Sequence, residues 1–455
     1  MKKHKHQYDL TNGSILSKLF LIAGPVMATQ AFQMAYNLID MFFVSRISSD
    51  AVAATGSAGL FILLSVVFII IGSIGAEIGV SQNKGKGDMI AAQRFAHSSL
   101  FISLILGIFT TILSILLGES FIRLIGIQED YIVRDAVIYL RIVGVAFPLL
   151  FMNRAITSIF NGSGNSRLPF QLKMIGLVVN IIVSPILIFS FSLGVMGAAI
   201  ATTVGHIVTS ILLLFAIKNP KTSPFDDFRF RGVLCPDKAT VGQILKWSLP
   251  VSIEGGLINL SYILLMSMIA SFGVNAVTTK QIGIQIESLS LFVAGGYGAA
   301  LTSFVGQNYG ANKIDRIKKG FKISLLLLSM WGTLTTLFLV FGGGASFGVF
   351  TDNPAIIESG IRYLRIVSFI QIANCMGAVC SGTFRGLGKT KPILVTAITF
   401  NVLRVPVAFL LSQTSLGLYG VFIGAALGVF MSGVVLFILY AIYSKKMFKL
   451  AASTE

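Results

Sequence analysis

Acidic residues are scarce in this chain: 18 Asp and Glu stand against 35 Lys and Arg, and charged residues of both signs make up only 12% of 455 positions. Soluble domains carry about twice that share, so a folded exterior made from this composition is not built for water. The three cysteines, Cys235, Cys375 and Cys380, have no metal-ligand spacing and cannot supply a disulfide framework. Histidine is equally sparse. His4 and His6 fall in the N-terminal tail, His97 near a predicted membrane face, and His206 alone on an apolar helix, where a hydrogen-bonded packing role is expected. No GxxxxGK[ST] phosphate loop is present, because the Lys84, Gly85, Lys86, Gly87 run has neither that spacing nor a following Ser or Thr. Hydrolysis of ATP through that device is excluded. The formal net charge of +17 is not a nucleic-acid footprint either, since no basic face or aromatic-basic motif accompanies it.

What the chain has in abundance is apolar sequence, 55% by residue count. A helix crosses a bilayer core with about 20 mostly apolar residues. Runs of that size fall near 16–45, 51–80, 92–117, 133–159, 168–191 and 195–217, then near 243–271, 276–305, 321–345, 356–382, 392–411 and 417–443. Lys2, Lys3 and Lys5 precede the first run as in a secretory signal, but Pro25 and the lack of a small-residue cleavage site make it a retained helix. The expected fold is an all-α polytopic membrane protein with twelve transmembrane helices in two pseudo-symmetric six-helix lobes. These span residues 1–217 and 241–455, the second with a short basic tail. Between them, 218–240 holds three prolines and several charges, a composition lipid cannot accept, and reads as a cytoplasmic linker.

The halves repeat at a spacing of about 224 residues. Pro25 in IAGPV matches Pro250 in WSLPV, and Gln82 and Asn83 in SQNKGKGD match Gln307 and Asn308 in GQNYGANK. YLRIVG from Tyr139 matches YLRIVS from Tyr363, FNGSGNSRLP from Phe160 matches FRGLGKTKP from Phe384, and Gly194 and Gly197 match Gly417 and Gly420. An even number of helices per repeat makes both halves enter the membrane from one side, with the pseudo-axis along the membrane normal and a cavity between halves as the substrate route. Basic residues gather in alternate connections, around Lys84 and Lys86, Arg167, the linker, Lys313 to Lys319, Arg385 to Lys391, and Lys445, Lys446 and Lys449. The positive-inside rule then puts both termini in the cytoplasm.

Carboxylates inside apolar helices carry the functional information, because a charge at the bilayer centre costs at least about 2.5–3.5 kcal/mol. Asp40, in YNLIDMFFVSR on the first helix, is a candidate to exchange a proton or hold a sodium ion; the structural alternative is an interfacial Asp paired with Arg46 or capping the next turn. Glu287 is a candidate for a cationic substrate or coupling cation, against pairing with Lys280. Glu254, four residues after Pro250, either lines a cavity or bonds backbone freed by the proline. Tyr36 joins Glu287 and Glu254 as a candidate for a substrate or secondary cation site, whereas Glu77 beside Lys84 reads as structural. Pro25 and Pro250 remove helix hydrogen bonds at matching positions and are candidate hinges. No metal site and no cofactor are expected.

The prolines of helices one and seven, the QN motif after helices two and eight, and the FxGxG run after helices four and ten resemble the multidrug and toxic compound extrusion (MATE) family across nearly the whole chain. That resemblance implies lobes around a central cavity, from which organic, often cationic, drugs leave in exchange for protons or sodium ions. It also implies a cation site in the first lobe: NLIDMFFVSRI places Asp40 at the family's helix-one Asp, VVNIIVSPILIF supplies Asn180, and GAAIAT supplies Thr202. Ser184 stands where related members carry a second Asp before Pro185, and Asn374 stands in the neighbourhood where the sodium-coupled branch carries an acid. The expected function is a plasma-membrane antiporter, coupled to H+ or Na+, that exports small organic cations or drugs as a monomer by alternating access. Two alternatives stay open. One is a lipid or lipid-linked precursor flippase of the same superfamily, and the other is a membrane-embedded enzyme, for which no convergent nucleophile, base or metal cluster is found.

Overall fold

The structure, a computed structural model, describes residues 9–452, with 447–452 described by backbone alone. The readings of Lys2, Lys3, Lys5, His4, His6 and the Lys449 side chain lie outside the described residues. Among the described residues the chain forms helices and connecting turns only, as lipid demands of a backbone that must satisfy its own hydrogen bonds. The first half contains α1 (Ile15–Ser45), α2 (Ser49–Lys86), α3 (Met89–Leu124), α4 (Asp130–Val145), α5 (Phe147–Gly162), α6 (Arg167–Pro185) with a π turn at Ile186–Ser190, and α7 (Gly194–Lys218). The second contains α8 (Lys238–Ala270), α9 (Val274–Gly310), α10 (Ile314–Phe341), a short α11 (Gly343–Gly348), α12 (Pro354–Ser368), α13 (Gln371–Gly386), α14 (Lys391–Thr396), a π turn at Ala397–Asn401, α15 (Val402–Ser412) and α16 (Leu418–Ala452). Ten helices among the described residues are long and apolar enough to cross a membrane; the pairs α4–α5 and α12–α13, bent by 48° and 46°, bring the number to twelve when each is one span.

Helix ends follow local chemistry. Ser48 Oγ accepts the Ala51 amide at 3.0 Å and Asp88 Oδ1 accepts that of Ala91 at 2.8 Å, so each supplies an acceptor that a first turn lacks. Helices α2 and α9 run several residues beyond their apolar stretches, which places the Gln-Asn pairs inside helix rather than after it. Both asparagines then do the same thing: Asn83 Nδ2 donates to Gly79 O and Asn308 Nδ2 to Phe304 O, each at 2.8 Å. The FxGxG runs are equally alike. Gly162 packs directly on the Glu77 carbonyl of α2, and Gly386 on the Thr302 carbonyl of α9, at positions where a Cβ would approach within 2.8 and 2.7 Å. Gly164 and Gly388 both take positive φ, 88° and 68°, and the amides that follow close onto Phe160 and Phe384. The internal repeat is thus a repeat of packing geometry.

The chain divides into two compact units, one holding Gly24–Ser252 and the other holding Thr11–Ala23 together with the chain from Ile253. The divisions fall inside α1 and α8, beside Pro25 and Pro250, and not in the linker. Within the first unit the linker is anchored: Phe225 and Phe228, 2% and 4% exposed, join a core with Ala96, Phe160 and Leu213, and Phe228 lies 4.7 Å from the His97 ring. Its charged residues stay outside while its aromatics fill the gap between helix ends.

Candidate functional site

The Gly24–Ser252 unit encloses a cavity of about 780 Å³, its open mouth included, walled by α1, α5, α6 and α7. Tyr36 of α1, Asn180 of α6, and Thr202 and His206 of α7 line it, while Asp40 and Ser184 stand four residues, one helical turn, beyond Tyr36 and Asn180 and outside its lining. The approach of α6 to α7 depends on Gly176 and Gly205, since a Cβ on Gly176 would meet the Gly205 carbonyl at 2.7 Å. Close backbones let the short Asn180 and Thr202 side chains share one space.

At one end of this cavity the Tyr36 hydroxyl lies 3.4 Å from Thr202 Oγ1. Asn180 also reaches Tyr36, and Tyr139 from α4 reaches the same threonine, with Asp40 the carboxylate acting on both tyrosines. Ser184 Oγ donates to Asn180 Oδ1 at 3.1 Å, so the residue at the place of an expected second acid orients the asparagine instead. Asp40 Oδ1 is buried without a hydrogen-bond partner. The structure therefore brings Tyr36, Asn180 and Thr202 together from three helices, with Asp40 one helical turn from Tyr36 and its Oδ1 satisfied by no protein donor.

The other acids are engaged. Glu254 Oε2 pairs with Arg385 Nη2 at 3.3 Å, a partner that neither sequence reading of Glu254 included. Glu287 accepts the Tyr363 hydroxyl, and Lys280 Nζ donates to that same oxygen, so Tyr363 bridges the lysine and glutamate of α9. Lys84 Nζ donates to the Ser163 carbonyl at 2.5 Å. Neither Glu254 nor Glu287 lies in the cavity wall of the first unit. No group of three or more metal-ligating side chains occurs among the described residues.

Three wall residues are functional groups the sequence reading does not select: Arg154 of α5, Lys173 of α6, and His206 of α7, which it assigns to packing. The signal was available. Arg154 in FMNRAITS and Lys173 in FQLKMIG stand inside apolar runs, where a cation is as exceptional as a carboxylate.

A chain that repeats one bundle geometry twice, with unsatisfied polar groups inside otherwise apolar helices, has the architecture of a secondary transporter. The MatE family model matches residues 25–186 and again 250–410, each match opening on one of the two equivalent prolines. The chain belongs to this family, the MATE transporters, and is a multi-pass membrane transporter rather than an enzyme. Among curated relatives it is 29% identical over 416 residues to the probable multidrug resistance protein YoeA of Bacillus subtilis, covering 89% of each chain. It is 27% identical over 421 residues to the probable multidrug resistance protein NorM of Thermotoga maritima, covering 90% of this chain and 89% of that one. A crystal structure of MATE in the bent conformation superposes with a TM-score of 0.90 at 25% identity, covering 97% of this chain and 98% of that one.

Proposed function

We propose that the protein exports small organic molecules across the plasma membrane by alternating access, driven by a proton or sodium ion that enters at Asp40. The observation that carries this reading is the buried, unpartnered Asp40 Oδ1 one helical turn from Tyr36, whose hydroxyl meets Thr202 and Asn180. An anionic oxygen in such a place needs a cation, and either coupling ion supplies one. Neutralising Asp40 removes the charge that opposes closure of α1 against α6 and α7. Thr29 Oγ1 donates to the Pro25 carbonyl at 2.8 Å, the i−4 back-bond that bends helices, one turn past the proline around which that helix would move. Differential affinity of the two states for ion and substrate then links their movements. The relatives named for multidrug resistance support drug-like cargo and do not favour lipid flipping. The basic connections support cytoplasmic termini, and a cluster drawn from α1, α6 and α7 of one chain supports a monomer.

The test is efflux of ethidium from proteoliposomes under an imposed proton or sodium gradient. Wild type should export under one of the two gradients, which names the ion, and Asp40→Asn should lose gradient-driven export while remaining folded and inserted. Export by Asp40→Asn at the wild-type rate would remove Asp40 from coupling. Absence of wild-type export under both gradients would refute the antiport reading.

A further inference from the structure

Tyr36, Asn180 and Thr202, neighbours of Asp40, line one end of the first-unit cavity. The remaining wall carries two formal positive charges, Arg154 and Lys173, together with the His206 imidazole, and its lining includes no carboxylate. The three groups lie close enough to act on one another by charge. Asp40 acts on Tyr36 and Tyr139 instead. Among the described residues, neither Arg154 nor Lys173 has an ion-pair or hydrogen-bond partner.

One unpaired cation within a membrane span is costly, and two side by side repel as well. Water in the open cavity relieves part of that cost but does not explain why both charges face one space. Arg154 presents a planar fork suited to two oxygens of a carboxylate or phosphate, and Lys173 adds a compact point charge. Beside them Leu150, Met174 and Leu177 offer an apolar surface, and Gln30 and Gln33 offer neutral hydrogen-bonding groups.

We infer that this cavity is a subsite for the phosphate or carboxylate of an amphipathic organic anion, whose apolar body rests on Leu150, Met174 and Leu177. The inference rests on the exporter reading and changes its substrate class: molecules with an acidic group enter the first unit, beside the often cationic drugs that the family resemblance implies. An anionic lipid headgroup offers the same chemistry as a soluble organic phosphate, and the test separates the two.

Equilibrium binding of riboflavin and riboflavin 5′-phosphate to the full-length protein in phosphatidylcholine nanodiscs isolates the contribution of one phosphate. Wild type should prefer the phosphate ester by about tenfold or more, the scale of a charge-assisted hydrogen bond. Arg154→Gln or Lys173→Gln alone should lose most of that preference, and the double substitution should abolish it. The charge-conserving Arg154→Lys with Lys173→Arg should retain much of it, which keeps the test valid should a neutral variant misfold. Equal affinity for the two flavins in wild type, no phosphate-dependent binding, or a preference that survives double neutralisation would overturn the inference. Nanodiscs containing phosphatidylglycerol assign the source. Competition lost in the doubly neutralised variant marks a lipid headgroup site, whereas an undiminished flavin preference marks a site for soluble anions. Because this readout is binding, it is independent of gradient-driven ethidium efflux, whose failure would refute the exporter reading alone.

Discussion

Gly382 on α13 faces Gly298 on α9 so closely that a Cβ added to Gly382 would sit 2.4 Å from the Gly298 carbonyl oxygen and 3.1 Å from its Cα and carbonyl carbon. Every one of those atoms is backbone, so no side chain can rotate away. The helices would have to separate by at least the 0.6 Å that lies between 2.4 Å and the 3.0 Å below which real Cβ contacts are essentially never found. Overpacking of this kind costs about 1–3 kcal/mol, and the rigid contact puts Gly382→Ala at the upper end. Alanine returns about 0.5–1 kcal/mol through better helix propensity, leaving a net loss of about 2 kcal/mol. The partner glycine is the control. A Cβ on Gly298 would meet only the Ala378 carbonyl, at 3.3 Å, and would ask its neighbours for a few tenths of an ångström. Gly298→Ala should therefore be near neutral. Thermal unfolding of the detergent-solubilised protein should place the Gly382→Ala midpoint about 4–8 °C below that of Gly298→Ala. Indistinguishable midpoints, or a more damaging Gly298→Ala, would refute the claim that this helix pair is held at backbone contact.

Two further outcomes are expected. Glu254→Ala leaves Arg385 without its carboxylate in a site where the two side chains are only 16% and 27% exposed, and should cost about 2–3 kcal/mol, below the range for a fully buried pair; the double variant with Arg385→Ala should be more stable than Glu254→Ala in chemical unfolding, and an additive loss would contradict the pairing. Asp237 Oδ2 accepts both the amide and the hydroxyl of Thr240 at the start of α8, which holds its carboxyl below the ordinary carboxylate range. A depressed folded value contributes stability above the unfolded pKa of about 3.9 that is lost as pH falls through the folded one. Amide exchange in the first turn of α8, corrected for intrinsic rates, should accelerate on acidification in wild type but not in Asp237→Asn; matching acid responses would argue against this cap.

The sequence made the helices legible because lipid permits so few alternatives: apolar length alone marks a span, and Pro25, Pro250 and the FxGxG runs recur in register. The ends were less legible, since α2 and α9 continue through polar residues that cap and pack in the manner of soluble helices. Asp40, Asn180 and Thr202 could be named from motifs, yet nothing in the linear pattern shows that Tyr139 would share the same threonine. Glu254 and Arg385 are 131 residues apart, and their meeting depends on packing within the second unit. Arg154 and Lys173 are obscured for a different reason: in a chain with 35 Lys and Arg, most positive charge marks helix ends and cytoplasmic connections, and two intramembrane cations hide among them.

Thr11–Ala23 is the first described stretch of the second unit to leave the ribosome, and the partners that hold it are made hundreds of residues later. Lys313 Nζ grips the Thr11 carbonyl and Asn12 Oδ1 at 2.9 and 2.8 Å, Arg316 takes the Gly13 carbonyl at 2.8 Å, and Phe20 meets the Tyr297 ring edge-on. During biogenesis this amphiphilic leader segment must wait in the membrane, threaded but undocked, until translation has passed Arg316. Separately expressed halves of the gene would inherit the same debt, for a second half begun at the linker lacks the strap that completes its own bundle.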